Sequence, residues 1–195
     1  MTAQTLDLLS DLIRHARQAG ADAADALFVS STAVGAGVRN GVTEELERSE
    51  TTDLGLRVFI GGKNATVSTT TIDPSRFAQL AEQAMAMARV LPDDRYAGLA
   101  PQAMTGAHDT NTLGLEDPTE PSTASLLDRA RIGEEAALAV PGVTNSAGSS
   151  ASWGRTQVAL ATSAGFAGGY SRTRHSNSVC VLAGEGEGMQ RDYDH

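Results

Sequence analysis

The feature that most constrains the fold is a run of alternating apolar and polar residues from Ala24 to Thr71, interrupted by two turn signals. Asn40-Gly41 is the strongest short hairpin signal that a sequence carries, because a type I′ turn needs a positive φ at both central positions. Gly61 to Asn64 gives the second turn. The alternation between these turns is typical of strands with one apolar and one polar face. The stretch therefore predicts a four-stranded antiparallel meander.

Within this meander the residues after the first turn predict a half-buried strand. Val42 and Leu46 alternate with Glu45 and Glu47, which predicts that one face is buried and the other is charged. A sheet with one apolar face needs a cover, and helical segments flank the meander in the sequence. We therefore expect Val42 and Leu46 to lie on the covered face.

The rest of the chain repeats a plan of helix followed by meander. Leucines at helical spacing precede the first meander, and Asp73-Pro74 predicts the start of a covering helix. Periodicity is lost over residues 92–121, and Ser122 or Ser125 caps the next helix. A second meander follows, with a turn expected at Gly154-Arg155. We predict an α+β fold of antiparallel meanders packed with helices, divided into residues 1–91, a long connecting loop over 92–121, and residues 122–195.

Composition excludes several classes of protein. A net charge of −9 at pH 7 disfavours nucleic acid and anionic membrane surfaces, because both need clustered Lys and Arg. No apolar run approaches the roughly 18 residues of a membrane span. A single cysteine, Cys180, cannot form an internal disulfide and is typical of a reducing compartment. We expect a cytoplasmic protein.

The densest polar stretch is Gly168–Cys180, and it supplies the candidate site. On an extended strand Arg172 and Arg174 share one face, whereas Thr173 and His175 share the other. Basic residues concentrated in an acidic chain are suited to a carboxylate, a peptide terminus or the acidic face of a partner. The alternative is that they pair with acids of the same chain.

Nucleophilic and metal chemistry find little support in the residues. His175 and Cys180 are five residues apart, so an unbroken strand points them to opposite faces, and the apolar setting of Cys180 predicts a buried, unreactive thiol. The remaining histidines, His15, His108 and His195, form no H-E-x-x-H motif or i, i+4 pair. No catalytic and no metal-binding residue is predicted. A hydrolase using Cys180 or His175 remains a further hypothesis.

Two sets of motifs resemble a known family. Arg39-Asn40-Gly41 through Glu47, followed by Asp53–Val58, resembles the N-terminal domain of the TldD/PmbA family, the "modulator of DNA gyrase" proteins. Ser171–Ser176, with Cys180 and Met189–Tyr193, is similar to the PmbA (TldE) branch. The family chains are more than twice as long, so the resemblance implies an N-terminal portion without the family's C-terminal domain.

The resemblance implies a function and a partner. Similar proteins form half of a TldD–TldE heterodimer, a cytoplasmic zinc metalloprotease that trims or degrades short or unfolded peptides. The zinc belongs to the TldD subunit, in an H-E-x-x-x-H helix, and no stretch of this sequence matches that motif. We therefore expect a non-catalytic subunit without a cofactor of its own, whose partners are a TldD-like chain and peptide substrates.

In such a subunit, the polar stretch Gly168–Cys180 is expected to contact the substrate or the partner. An unfolded peptide can bind as an added strand through main-chain hydrogen bonds, with Arg172, Arg174 and His175 lining the groove or facing the partner subunit. The alternative function is a stand-alone peptide- or protein-binding adaptor without a proteolytic role. We expect no direct contact with nucleic acid or membrane in either case.

Overall fold

The computed structural model describes residues 3–101, 104–106 and 110–195; His108 lies outside the described residues. Within these ranges three α-helices and six strands follow one another along the chain. Their bounds are α1 Ala3–Gln18, β1 Ala23–Arg39, β2 Val42–Ile60, β3 Lys63–Thr69, α2 Phe77–Val90, α3 Thr123–Leu138, β4 Val143–Thr162, β5 Ala167–Ala183 and β6 Gln190–Asp194.

The strands form one antiparallel sheet in the order β3-β2-β1-β4-β5-β6. β3 pairs with β2 only from Leu54 onwards, and β6 pairs with β5 only from Val179 onwards. A helix followed by strands occurs twice along the chain, so the predicted α+β class and its repeated plan are confirmed. In the part of the chain that the structure describes, no helix is long and apolar enough to span a membrane.

The Asn40-Gly41 turn forms as the sequence predicted. Asn40 has φ 49° and Gly41 has φ 76°, so both central residues adopt the left-handed conformation that a type I′ turn requires. Gly61 also has a positive φ, of 56°, in the turn between β2 and β3. These two turns set the register of the first three strands.

The first meander differs from the prediction in strand number and in burial. Three strands rather than four lie between Ala23 and Thr69, because β2 is one continuous strand of 19 residues. Val42 and Leu46 are 65% and 58% exposed, although a buried face was expected. All residues from 42 to 48 are exposed, because α3 packs against residues of β1 and β4 and not against this part of β2. Alternation predicts a strand, but it does not reveal whether another element covers it.

The turn expected at Gly154-Arg155 is also wrong, because β4 runs without a break from Val143 to Thr162. Gly154 stays in the strand, and a Cβ atom at this position would lie 3.6 Å from the carbonyl oxygen of Thr32. This separation is an ordinary van der Waals contact between neighbouring strands, so Gly154 is an extended strand residue rather than part of a turn.

The chain divides into two compact units, each assembled from three stretches. The first unit comprises Met1–Ser30, Thr51–Leu115 and Thr156–Ser171, and the second comprises Ser31–Glu50, Glu116–Arg155 and Arg172–His195. In the first unit, α1 and α2 bury their apolar faces against the strands, with Leu9, Leu12 and Phe77 almost fully inaccessible to solvent.

The second unit has its own core beneath α3. Leu126 and Ala130 of the helix pack against alternate residues of β1 and β4, including Val38 and Trp153. Ser122 is the N-cap of this helix, and its hydroxyl oxygen accepts a hydrogen bond from the Ser125 backbone N–H at 3.2 Å. Of the two serines left open by the sequence, the structure therefore selects Ser122. α3 thus covers one face of the sheet in this unit.

Candidate contact site on the fifth strand

The two arginines of the polar stretch lie on β5, where they are exposed and two residues apart. The strand is continuous from Ala167 to Ala183, so Arg172 and Arg174 share one face as predicted. Neither guanidinium forms a hydrogen bond or an ion pair with a residue that the structure describes. Two positive charges therefore remain available to an external ligand in the described part of an acidic chain.

His175 lies on the opposite face of β5, next to α3. Its Nδ1 atom is 3.0 Å from Nη1 of Arg129 on that helix. A guanidinium can only donate, so Nδ1 of His175 is the acceptor in this contact. The structure thus places His175 against the covering helix rather than beside Arg172 and Arg174.

A short segment, residues 116–120, crosses the same face as α3. Glu116 accepts a hydrogen bond from Nε of Arg155 on β4 at 2.6 Å, and the Asp117 N–H donates to the Thr173 hydroxyl of β5 at 2.8 Å. Glu120 pairs with Arg48 on β2 at 2.5 Å. This crossing segment covers the side of β5 that carries Thr173 and leaves Arg172 and Arg174 on the other side.

Asp117 holds the turn of the crossing segment. Its carboxylate accepts a hydrogen bond from the Thr119 backbone N–H at 2.9 Å. The backbone N–H and the hydroxyl of Thr119 stabilise the charged carboxylate, which lowers the pKa of Asp117, with a smaller contribution from His175. The carboxylate is therefore already engaged locally.

The face that carries the arginines continues into a cavity of about 450 Å³ in the second unit. Ser178 and Cys180 line it from β5, together with Glu45 and His195, and the Ser178 and Ser150 hydroxyls are 2.9 Å apart. Cys180 is half-buried, so the expectation of a buried thiol is wrong.

His175 and Cys180 do not form a catalytic pair in the structure. β5 is unbroken between them, and a separation of five residues along a strand amounts to about 17 Å. Proton transfer between the two side chains would need hydrogen-bond distance.

A zinc site is not assembled by the residues that the structure describes. No group of three or more His, Cys, Asp or Glu side chains lies close enough together to hold a metal ion within those ranges. Zinc sites in proteins use three or four such ligands. The His, Cys, Asp and Glu side chains that the structure describes therefore do not fit a zinc ion.

One polar residue that the sequence did not single out is central to this unit. Glu134 of α3 is only 2% exposed, and its carboxylate accepts hydrogen bonds from the backbone N–H groups of Asn40 and Gly41 at 2.8 and 2.7 Å. The Ser146 hydroxyl donates to the same carboxylate. Glu134 therefore ties α3 to the β1–β2 turn. The sequence does carry a signal for this role: Glu134 follows Leu126 by eight residues, a helical spacing that places both on the core-facing side of α3.

Opposing effects set the pKa of Glu134. Burial raises it, but the hydrogen bonds from Ser146, Gly41 and Asn40 favour the charged form and leave the pKa below its usual value. The carboxylate is thus a charged structural clamp within the described residues rather than a proton donor at neutral pH.

Comparison with known proteins places this α+β chain among the metallopeptidases. Its sequence matches the models of two metallopeptidase domains, in order along the chain. Residues 24–88 match the PmbA/TldA metallopeptidase domain 1, and residues 116–195 match the PmbA/TldA metallopeptidase central domain. The chain belongs to the PmbA/TldD family, and the resemblance predicted from its motifs is confirmed.

Curated relatives carry the same family name. The chain is 32% identical over 173 residues to metalloprotease PmbA of Escherichia coli O157:H7, a match that covers 88% of this chain and 38% of the relative. It is 28% identical over 192 residues to the metalloprotease PmbA homolog of Haemophilus influenzae, covering 96% of this chain and 41% of the relative. The chain therefore spans about two-fifths of the length of the relatives it matches.

Solved structures share the fold over nearly the whole chain. A protein described as a modulator of DNA gyrase from Bacteroides thetaiotaomicron gives a TM-score of 0.82 at 22% identity, covering 98% of this chain and 44% of the other. TldE from Thermococcus kodakarensis gives a TM-score of 0.76 at 16% identity, covering 96% and 42%. At these identities the likeness describes the fold alone.

Proposed function

We propose that this chain is the N-terminal part of a non-catalytic, PmbA/TldE-like subunit of a cytoplasmic TldD–TldE zinc metalloprotease. The observation that carries the proposal is the ordered match to two PmbA/TldA metallopeptidase domains, residues 24–88 and 116–195. A relative called metalloprotease PmbA at 32% identity supports it. The complex processes or degrades short or unfolded peptides, and its zinc is held by the TldD-type partner, as the family resemblance implies.

In this proposal the fifth strand contacts the substrate or the partner. Arg172 and Arg174 are exposed and carry positive charge without a described acidic partner, and His175 lies behind them against Arg129. An extended peptide can add to a sheet edge through main-chain hydrogen bonds, which suits unfolded substrates of varied sequence. The arginines attract carboxylates of the peptide or of the partner chain.

Neutralising the two arginines tests this role. In a complex with the TldD-type partner, R172Q/R174Q is expected to raise the KM for peptide cleavage or to weaken partner capture by about tenfold, the equivalent of two modest charge-assisted contacts. The matched control is R76Q/R95Q, which removes two exposed arginines of the first unit. Unchanged cleavage and unchanged assembly with R172Q/R174Q would remove the contact role.

The subunit assignment itself is tested by affinity capture from the native host. Co-purification of a zinc-bearing chain with an H-E-x-x-x-H motif, together with peptide cleavage by the captured pair, supports the proposal. Repeated capture without such a chain contradicts it.

A stand-alone adaptor is the second candidate function. The Bacteroides structure, and one from Thermotoga maritima at 12% identity and a TM-score of 0.68, are both described as modulators of DNA gyrase. Those descriptions favour a binding role towards another protein. Capture of gyrase subunits in the absence of a zinc-bearing partner would favour this candidate over the first.

A further inference from the structure

The outer edge of β3 has no strand partner among the described residues. β3 lies in the interior of the chain, between β2 and α2 of the first unit, and pairs with β2 alone over Lys63–Thr69. Opposite residues of an antiparallel pair alternate between hydrogen-bonded and non-hydrogen-bonded pairs, and the pair that closes a two-residue turn such as Gly61-Gly62 is hydrogen-bonded. The main-chain N–H and C=O groups of Asn64, Thr66 and Ser68 therefore point outwards, away from β2.

α2 packs beside β3 and runs in the opposite direction. At the start of β3, Nζ of Lys63 donates to the carbonyl oxygen of Arg89, near the end of the helix, at 3.1 Å. At the end of β3, Thr69 lines a small cavity of about 70 Å³ together with Leu80, near the start of the helix. One side of α2 therefore follows β3 along its length.

The side of α2 that meets this cavity is only partly covered. Leu80 and Gln83 line the cavity, and Met87 follows them at helical spacing and is 42% exposed. This side of the helix and the outer edge of β3 form one surface of the first unit. The β3–α2 surface consists of Asn64, Thr66, Ser68, Leu80, Gln83 and Met87.

The β3–α2 surface is uncharged in a strongly acidic chain. Its six residues include no acid and no base, although the chain has 24 Asp and Glu residues and a net charge of −9 at pH 7. Asp73 and Arg76, one of each sign, line the end of the cavity. Edge strands that stay unpaired usually carry charges, proline or a bulge. Two copies of the chain therefore meet the least electrostatic repulsion at this surface.

We propose that the β3–α2 surface binds the same surface of a second copy, with the two β3 strands antiparallel about a two-fold axis at Thr66. Thr66 then lies opposite Thr66 of the second copy and Asn64 lies opposite Ser68, and polar pairs of this kind stabilise neighbouring strands. On the face beneath α2, the small Ala65 lies opposite the larger Val67. A second copy is the fitting occupant because the edge is self-complementary in this register and places no like charges opposite each other. The inference does not depend on the proposed peptidase role.

The two helices take part in the same contact. Opposite residues of paired strands point to the same face of a sheet, so both copies of α2 lie on one side. Leu80 of one copy then faces Met87 of the other, with Gln83 near the axis. A seven-residue strand and three helix side chains make a small interface. We therefore expect a reversible dimer with a dissociation constant in the micromolar range, as is typical of small contacts.

Substitution at the two-fold axis tests the pairing. T66K places two lysines opposite each other and T66E two glutamates, so each variant alone is expected to associate about tenfold more weakly than the unchanged chain in sedimentation equilibrium. An equimolar mixture is expected to associate at least as tightly as the unchanged chain, because lysine then lies opposite glutamate, and this recovery also shows that both variants fold. The matched controls T43K and T43E change an exposed threonine of β2 and are expected to associate like the unchanged chain.

Cross-linking tests the register. In a C180S background, we use a bismaleimide too short to span four strand residues, which is about 13 Å. It is expected to join two copies carrying T66C, and to join copies carrying N64C to copies carrying S68C. It is not expected to join two copies carrying N64C, which lie four residues out of register. Equal cross-linking of N64C with itself and with S68C would overturn the register.

A change on α2 tests the helix contact. M87K is expected to weaken self-association severalfold, because a charged side chain then replaces an apolar one opposite Leu80 of the second copy. A86K, at the exposed neighbouring position of the same helix, is the matched control and is expected to associate like the unchanged chain. Equal effects of the two substitutions would overturn the helix contact.

Three outcomes overturn the proposal as a whole. The unchanged chain could remain monomeric up to high micromolar concentration, or the mixture of T66K and T66E could fail to associate. Association could also weaken as salt is added, whereas an uncharged contact between acidic copies is expected to hold or strengthen. Self-association is measured on this chain without peptide or zinc, so its failure leaves the proposed cleavage role standing and is distinguishable from it.

Discussion

Glu134 is the residue on which the local structure of the second unit depends most. Its carboxylate accepts three hydrogen bonds from the β1–β2 turn and from Ser146. In E134Q one carboxylate oxygen becomes an amide that can only donate, which leaves a backbone N–H of the turn or the buried Ser146 hydroxyl without an acceptor. We expect a loss of about 1–3 kcal/mol in the free energy of unfolding, measured by urea denaturation. E135Q, at an exposed neighbour on the same helix, is the control and should change stability little.

The pH dependence of this difference follows from the direction of the pKa shift. The pKa of Glu134 is lowered in the folded state, so its contribution is present in full above the unfolded value of about 4.3 and is lost as pH falls through the folded pKa. The stability gap between the unchanged chain and E134Q should therefore be constant near neutral pH and narrow in acid. A stability difference between the unchanged chain and E134Q that widens below pH 4 would contradict this role of the charged Glu134 carboxylate.

Trp153 gives a second prediction at the residue scale. Its side chain is buried in the core beneath α3, and its Nε1–H finds no acceptor among the described residues. W153A should lose about 3–5 kcal/mol because it leaves a large cavity. W153F should lose less than half as much, because it keeps most of the ring and removes the unsatisfied donor. Equal losses in thermal unfolding followed by circular dichroism would show that Nε1–H is satisfied.

The facing of a single side chain on a strand could be predicted from the sequence, but its neighbours from distant parts of the chain could not. Arg172 and Arg174 could be placed on one face of a strand because the period of a strand is two. The neighbours of His175 could not be predicted, since Arg129 is distant in sequence and reaches it only through packing of α3. Glu134 was missed for the same reason: the backbone groups that it binds lie more than ninety residues earlier in the chain.

At the scale of elements, the start of α3 allows a direct test. The Ser122 hydroxyl accepts from the Ser125 backbone N–H, so S122A should lose about 1 kcal/mol of stability. S125A removes a hydroxyl from the first turn without removing the cap and should lose much less. Equal effects of the two substitutions on the urea midpoint would reject Ser122 as the cap.

The strands illustrate which element features a sequence can predict. Positive φ at Asn40 and Gly41 follows from local chemistry, and the turn was predicted correctly. The turn expected at Gly154 was wrong because glycine is able to adopt extended as well as turn conformations, and β4 continues through it. The exposure of Val42 and Leu46 could not be predicted, because it depends on which strands α3 covers.

At the scale of the whole molecule, the chain belongs to a metallopeptidase family. The proposed function assigns zinc binding and bond cleavage to a TldD-type partner. The most direct test measures zinc content and peptide cleavage for this chain alone, the partner alone and the two together. We predict substoichiometric zinc and no cleavage for this chain alone, and cleavage by the pair that is abolished when a metal-binding histidine of the partner is replaced. Stoichiometric zinc bound by this chain, or peptide turnover by it in isolation, would contradict the account.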